Sequence, residues 1–484
     1  MKNIEIRAHV LSDTTWYFLG SLIPMFVLFL RSPIYTRIFT PEEYGFYSLV
    51  NITFTYLSSV SFAWVSNCAW RYYLNYKINH QISTYSLLLS FLFLCSAILN
   101  IIITFTWISL ADNLLLKKLI FGGFLYFLTN ELINIALIPI RIEGRARLYN
   151  LLHSIRIVLS FSLLLVLTFV GNIRIEAFFI SGVVINISYI IYVSGKNLFH
   201  FNVRFTLINR SELRKFLHYG FSNLSVNLCM FILISSDRYL LAAYTDIGSV
   251  GVYNQIYNIA QIGIISLINV YQAAINPVIF ETLESNAKNS NKILAEFAYR
   301  SIYLFLPIII LFALFSKSIS YILLGKEFRD GYYLLPYIAI GVFLNGLNYF
   351  AMVKFKFTNR LTFMLYGAII ATVINICLNV ILIPIYGMIA AAITTLISYA
   401  ILWMFYYLGS NNNYLFHLKY RKKYFLLLRV ILLIITIYFL TMHFIGYNNL
   451  SILPSLFLAT ILMITYILLT IKINPFLSNP IKKN

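Results

Sequence analysis

Ionisable side chains inside long apolar runs are the residues of this chain best placed to do chemistry. A charge in hydrocarbon is costly and persists where a partner or a water-filled path supports it. Arg31 lies in the outer half of the first such run and Arg37 near its exit. Asp237 and Arg238 stand side by side in the outer part of the seventh, so each half of the chain carries a basic group at one depth. Two or three arginines in an enclosed space would favour a phosphate or pyrophosphate, because guanidinium binds such oxyanions bidentately and stays charged. The competing reading has Arg37 snorkelling to headgroups and Arg238 pairing with Asp237. Glu131, in Leu128-Thr129-Asn130-Glu131-Leu132-Ile133-Asn134, is the one carboxylate well inside an apolar run. It could bind a coupling cation or carry a proton, or a neighbouring helix's Asn or Lys could neutralise it. Lys354 and Lys356 close the tenth run, where they could meet an anionic substrate or simply mark the basic face.

The elements that must carry these groups are apolar segments of spanning length. Fourteen are expected, at roughly 14–36, 44–68, 83–110, 115–140, 147–170, 175–195, 213–243, 250–279, 295–316, 332–353, 361–384, 386–408, 424–446 and 450–471. A hydrocarbon layer of about 30 Å needs about 20 helical residues. Of the 36 Lys and Arg, only nine lie outside the termini and alternate gaps: Arg31, Arg37, Lys117, Lys118, Arg174, Arg238, Lys317, Lys326 and Arg329. The other 27 cluster on one face, which the positive-inside rule makes cytoplasmic, with both termini on that side. The fold class expected is an all-α polytopic membrane protein.

Composition narrows the classes further. Hydrophobic residues make up 60% of the 484, charged residues 11%, and the mean hydropathy is +0.82. The net charge of +20 sits in short loops, so anionic headgroups and topology account for it and nucleic acid is not expected as a partner. Long unbroken apolar runs exclude a barrel, whose strands alternate. Lys2 and Arg7 precede a long span without a small-residue cleavage site, unlike a removable signal peptide. Cys68, Cys95, Cys229 and Cys377 are far apart and read as apolar core residues. The seven histidines form no HxxxH or HExxH pair, so neither metal nor cofactor is expected.

The chain repeats itself. Phe39-Thr40-Pro41-Glu42-Glu43-Tyr44-Gly45-Phe46-Tyr47, after the first run, matches Tyr244-Thr245-Asp246-Ile247-Gly248-Ser249-Val250-Gly251-Val252-Tyr253, after the seventh, with one residue inserted. Six spans between the copies give both halves one orientation, as in parallel repeats flanking a substrate path. The expected division is two six-helix bundles, 1–200 and 201–410, plus an added helix pair, 411–484. Pro24, Pro139, Pro307, Pro336 and Pro384 are expected to interrupt or end helices.

Three ordered stretches resemble a known family. Pro33-x-x-Thr36-Arg37-x-Phe39-x-Pro41-Glu42-Glu43-Tyr44-Gly45-x-Tyr47 is similar to the start of polysaccharide (O-antigen and capsule) flippases. Those share a superfamily with multidrug-and-toxin-extrusion and lipid II transporters. Asp237-Arg238-Tyr239-Leu240 with Val250-Gly251-Val252-Tyr253 resembles that family's second-half signature. Asn379-x-x-Leu382-Ile383-Pro384-x-Tyr386-Gly387-x-x-Ala390-Ala391-Ala392-x-x-Thr395 resembles its span 11–12 hairpin. The resemblance implies two bundles around a cationic cavity in a bacterial inner membrane. The implied activity is alternating-access transfer of an undecaprenyl-pyrophosphate oligosaccharide to the periplasmic leaflet, for O-antigen, lipopolysaccharide or other surface polysaccharide. Membrane lipids, a polysaccharide polymerase and chain-length machinery would be its partners. It carries over Arg37, Asp237 and Arg238 as motif positions without their roles.

Two other classes compete. A cation-coupled multidrug antiporter would prefer a carboxylate-rich cavity, whereas these span interiors carry more Arg than acid. A membrane polymerase or glycosyltransferase would need a sizeable outer loop or a carboxylate pair, and the outer gaps are short. No GxxxxGK[ST] loop occurs, so ATP hydrolysis by this chain is not expected.

Overall fold

The computed structural model describes residues 23–24, 26–195, 210–221, 224–284, 290–358, 360–410, 418–445 and 452–471. Every regular element among them is a helix. The helices fall into two compact units. One takes the described residues up to Leu30 together with Glu42–Ser235; the other takes Arg31–Pro41 and the described residues from Ser236 onward. The domain limits expected near 200 and 411 border stretches outside the described residues.

The first unit holds α2 (Pro41–Ser61), α3 (Ala63–Ile78), α4 (Ile82–Leu110), α5 (Leu114–Ile142), α6 (Ala146–Phe169), α7 (Ala177–Gly195), α8 (Arg210–Phe221) and the first half of α9 (Leu224–Tyr244). Pro41 opens α2, where its missing N–H costs nothing. Its core joins Val65, Cys68 and Tyr85 to Leu88, Ile135 and Phe216. The seventh span was expected to begin at 213, but residues 210–221 form a separate amphipathic helix. Leu213, Phe216 and Leu217 of α8 pack on the core, while Arg210, Arg214 and Lys215 are exposed.

The helices α2 and α3 meet at a 44° bend. Ser59 and Ser61 just before it donate to the carbonyls of Thr55 and Leu57 one turn back, and Asn100 donates to Ser61 at 2.7 Å. Hydroxyls that bond the preceding turn in this way loosen and bend a helix.

The second unit begins with most of the helix at 26–38 (α1) and continues with the end of α9 and α10 (Ile247–Ala260). A π-helical turn, Gln261–Ile265, joins α10 to α11 (Ser266–Glu284). Then come α12 (Ser290–Leu314), α13 (Ser316–Leu323), a 3₁₀ segment (Lys326–Leu334), α14 (Leu335–Phe357), α15 (Leu361–Tyr386) and α16 (Met388–Gly409). The last pair, α17 (Leu418–Ile445) and α18 (Ile452–Thr470), packs on α12 and α13 through Leu427, Ile434, Tyr438 and Tyr466.

Among the described residues ten helices are long and apolar enough to cross a membrane, or eleven if the bent α2–α3 pair is one span. The first expected span begins outside the described residues, and the apolar part of α18, Phe457–Thr470, is shorter than the others. Pro139, Pro307 and Pro384 lie inside continuous helices rather than breaking them, and Pro336 sits at the start of α14. Between α15 and α16 the chain reverses at Gly387, whose φ of 59° suits only a residue without a Cβ.

The repeat has a cleaner register than the one expected. Each copy runs helix, one bent residue, one residue without regular structure, helix, with the second helix starting at Pro41 and at Ile247. Thr40 therefore aligns with Asp246, Gly45 with Gly251 and Tyr47 with Tyr253, with nothing inserted. Asp246 accepts from the backbone N–H of Ser249 at 2.8 Å as a helix N-cap. In the same register the bend after Ser61 has its counterpart close behind the π turn.

Beyond the end of α5, Glu143 accepts hydrogen bonds from Tyr73 Oη at 2.6 Å and from Lys77, with Arg145 Nη2 at 3.1 Å. Burial alone would raise this carboxyl; the hydrogen bonds from Lys77 and Tyr73 and the charges of Lys77 and Arg145 outweigh it, holding the group below the usual range. A depressed native carboxyl stabilises the fold above its unfolded value of about 4.3, and that contribution fades as pH falls through the lower native value. The melting-temperature gap between wild type and Glu143→Gln should thus be constant near neutrality and shrink below about pH 4. A gap indifferent to pH would remove Glu143 from the acid response.

Candidate functional site

Among the described residues, the most completely buried charges lie in the second unit. Asp237 and Arg238 follow one another on α9 with 0% and 3% exposure. Arg238 Nη1 donates to Asp237 Oδ1 at 2.7 Å, and the Arg238 backbone N–H reaches the same oxygen at 2.9 Å. The second oxygen, Oδ2, accepts from Tyr253 Oη at 2.6 Å and from Thr395 Oγ1 at 3.3 Å. The guanidinium carbon lies 5.1 Å from the Tyr253 ring centroid and 4.1 Å from that of Tyr257. Tyr257 in turn shares a 3.2 Å hydrogen bond with Tyr399. The carboxylate is thus neutralised by one guanidinium and saturated by hydroxyl and amide donors, and the guanidinium is roofed by two aromatic faces. Arg238 and Asp237 are brought together as a pair in the core rather than held open toward an anion or a cation.

A chain of buried amides and hydroxyls continues from this pair. Ser236 donates to Asn375 Oδ1 at 2.9 Å, Asn379 donates to the same oxygen at 3.0 Å, and Thr394 donates to Asn379. Asn375, Asn379 and Thr394 are fully buried. The i, i+4 spacing of the two asparagines puts both on one face of α15, a signal present in the sequence but unread there. Tyr253 and Thr395 were read only as motif letters.

The first motif performs a different task. Thr36 Oγ1 accepts from the backbone N–H of Gly325 at 2.8 Å while donating to Ser32 O. Arg37 donates to Pro33 O at 2.5 Å and to Ile322 O at 2.9 Å, at the C-terminal end of α13. Ser32 donates to Gln255 Oε1 at 3.1 Å. The end of α1 is therefore sewn to the turn at 322–325 and to α10. Arg31, half-buried, lies next to Ser32 in this seam. Because Arg37 is exposed, Arg37→Ala should cost no more than about 1 kcal/mol, read as a small melting shift. A loss of several times that would mean the guanidinium carries more than these two carbonyls.

Lys354 is half-buried near the end of α14, donating to Asn291 Oδ1 at 3.0 Å and to Ser410 O at 2.8 Å. It ties the ends of three helices and satisfies a carbonyl past the end of α16.

Glu131 belongs to the first unit, half-buried in the interior of α5. Its carboxylate interacts with the side chains of Ser58, Asn134 and Asn130 and with the charge of Arg156 on α6. Glu131 stands 11 residues before the end of α5 and Arg156 10 residues past the start of α6, so both lie roughly 15 Å from the same face. Arg156 went unremarked in the sequence because it was counted among the 27 basic residues of the termini and alternate gaps. Of the six expected site residues, Asp237 and Arg238 pair, Arg31 and Arg37 share the α1 seam and Lys354 ties helix ends within the second unit, while Glu131 belongs to the first. Among the described residues no group of His, Cys, Asp or Glu could hold a metal ion.

The family model for polysaccharide biosynthesis proteins matches residues 10–283, more than half of the 484. Among solved structures, the lipid II flippase MurJ in an inward closed conformation matches with a TM-score of 0.70 at 13% identity, covering 94% of this chain and 99% of that one. An inward-facing multidrug resistance MATE family transporter of the MOP superfamily matches at 0.58 and 15% identity, covering 81% and 97%. The MATE transporter VcmN of Vibrio cholerae matches at 0.55 and 14%, covering 85% and 98%. Identities this low speak to the fold. A search of curated protein sequences finds no match. With the family model running from before α1 through the buried pair, and the helical fold similar to that of MurJ and the MATE transporters, the chain belongs to the polysaccharide biosynthesis protein family.

Proposed function

We propose that the chain moves an undecaprenyl-pyrophosphate-linked oligosaccharide from the cytoplasmic to the periplasmic leaflet of a bacterial inner membrane by alternating access, supplying O-antigen or another surface polysaccharide. The observation that carries this reading is the family match over residues 10–283 on a lipid-flippase fold. Arg31, Arg37 and Lys354 are the basic groups assigned to the pyrophosphate path, and Glu131 is the coupling group. Asp237 and Arg238 hold the second unit together and touch the substrate only through that scaffold. A polymerase and chain-length machinery would take the product.

The test uses purified protein in liposomes loaded with an undecaprenyl-pyrophosphate oligosaccharide, scoring how fast the glycan becomes accessible on the opposite face. Protein-dependent exposure is expected. Arg31→Gln should slow it by roughly tenfold, the worth of one charge-assisted hydrogen bond. Glu131→Gln should remove stimulation by an imposed ion gradient while leaving the melting temperature within a few degrees. No exposure with folded protein and cognate glycan would turn the reading toward a cation-coupled multidrug antiporter.

A further inference from the structure

On the surface of the first unit a groove of about 810 Å³ runs along α5 and α7, within the range of about 300–1,000 Å³ found for ligand pockets. Its floor and walls are Leu115, Phe121, Gly122, Leu125, Ile180 and Val184. Phe121, Ile180 and Val184 are 51%, 37% and 47% exposed, so the groove opens sideways from the helices. Between Leu115 and Leu125 it extends ten residues of helix, roughly 15 Å. That is the depth of one leaflet of a hydrocarbon core about 30 Å thick.

The mouth is charged, and balanced. Glu43, Lys118, Arg174 and Glu176 stand there, two carboxylates and two cations. Arg174 Nη2 donates to Glu43 Oε2 at 2.8 Å in a bidentate pair. Lys118 is 3.9 Å from Glu176, too long for a hydrogen bond. The side chains of the cations are 59% and 60% exposed, those of the carboxylates 22% and 15%. An anionic headgroup would find as much repulsion as attraction at this rim. A zwitterionic one finds a place for each charge: phosphate against the exposed Lys118 and Arg174, and a positive end beside Glu176.

We propose that this groove is a binding site for a phospholipid with a primary ammonium headgroup, of the phosphatidylethanolamine type. One acyl chain lies along α5 and α7, and the ammonium donates to Glu176. The proposal does not depend on which glycan is carried. A quaternary ammonium has no N–H to give, so choline lipids satisfy the groove but not Glu176.

The test is competitive retention by the delipidated full chain. Equimolar dioleoyl phosphatidylethanolamine, phosphatidylcholine and phosphatidylglycerol are added in detergent, and bound lipid is counted by native mass spectrometry. The ethanolamine lipid should be retained about tenfold over the other two. Val184→Trp, which fills the groove from its open side, should abolish its retention, and Glu176→Gln should reduce it to the choline level. Equal retention of the three lipids, preference for the glycerol lipid, or an unchanged preference in both variants would overturn the proposal. Should Val184→Trp melt early, Glu176→Gln decides alone, since its side chain sits on the rim.

Discussion

Arg238→Met is expected to cost about 3–5 kcal/mol of stability, the penalty for leaving a buried carboxylate without its counter-charge. Asp237 has no water to turn to: it is 0% exposed, and its remaining partners, Tyr253, Thr395 and the backbone N–H of residue 238, donate hydrogen bonds but no charge. Asp237→Asn, which strands the guanidinium over Tyr253 and Tyr257, should also destabilise, less severely because two ring faces remain. The decisive variant carries both changes. Asn keeps an oxygen for Tyr253 and Thr395, and Met keeps the bulk beneath the rings, so the double variant should recover more than half of what Arg238→Met loses. Melting temperatures of the four proteins in one detergent close the cycle. Additive losses, with no recovery in the double variant, would mean the two charges do not act as a pair. Transport measured on the same proteins separates scaffold from substrate contact: a stable double variant that still transports leaves Arg238 no role at the pyrophosphate.

The second large effect is expected at Gly325. A Cβ there would overlap the Thr36 carbonyl and come within 3.1 Å of Arg37 N. Both are backbone, so no side chain can swing aside, and Gly325→Ala must push α1 off the turn. Overpacking of this kind costs about 1–3 kcal/mol and sometimes more. Here the same displacement also takes the Gly325 N–H to Thr36 and Arg37 to Ile322 hydrogen bonds, so about 3 kcal/mol or more is expected. Thr36→Val, which removes the two hydrogen bonds of the hydroxyl and leaves the spacing, should cost only about 1–2 kcal/mol. Comparable melting shifts for the two variants would show that the turn yields to the methyl group.

Much of this architecture can be read from residues alone. Long apolar runs bounded by Lys and Arg identify the helices, because hydrocarbon admits few alternatives. The repeat was visible too, but matching Thr40 to Thr245 by identity inserted a residue that the helices do not have. The helix starts at Pro41 and Ile247 make Asp246, the N-cap of α10, the aligned partner. The site was harder to read. The partner of Thr36 lies 289 residues away, and no local pattern announces it. Arg238 was visible as a charge in a span, but whether it faces a path or its neighbour depends on Tyr253, Tyr257 and Thr395 closing around it. Arg156 was hidden by the very loop-charge rule that orients the chain, which assigns a basic residue by proximity to a gap rather than by depth.

The π turn at Gln261–Ile265 gives the rod made by α10 and α11 two phases. One extra residue in a helix turns everything after it by about 100° while lengthening the rod by about 1.5 Å. The face carrying Tyr253 and Tyr257 is thereby out of step with the face carrying Tyr271 and Gln272, which donate to Phe297 O and Gly346 O. Deleting Gly263 would keep the span long enough and apolar enough, yet rotate one set of anchors off its partners. For this rod, angular phase rather than length or hydropathy is the quantity that its sequence has to conserve.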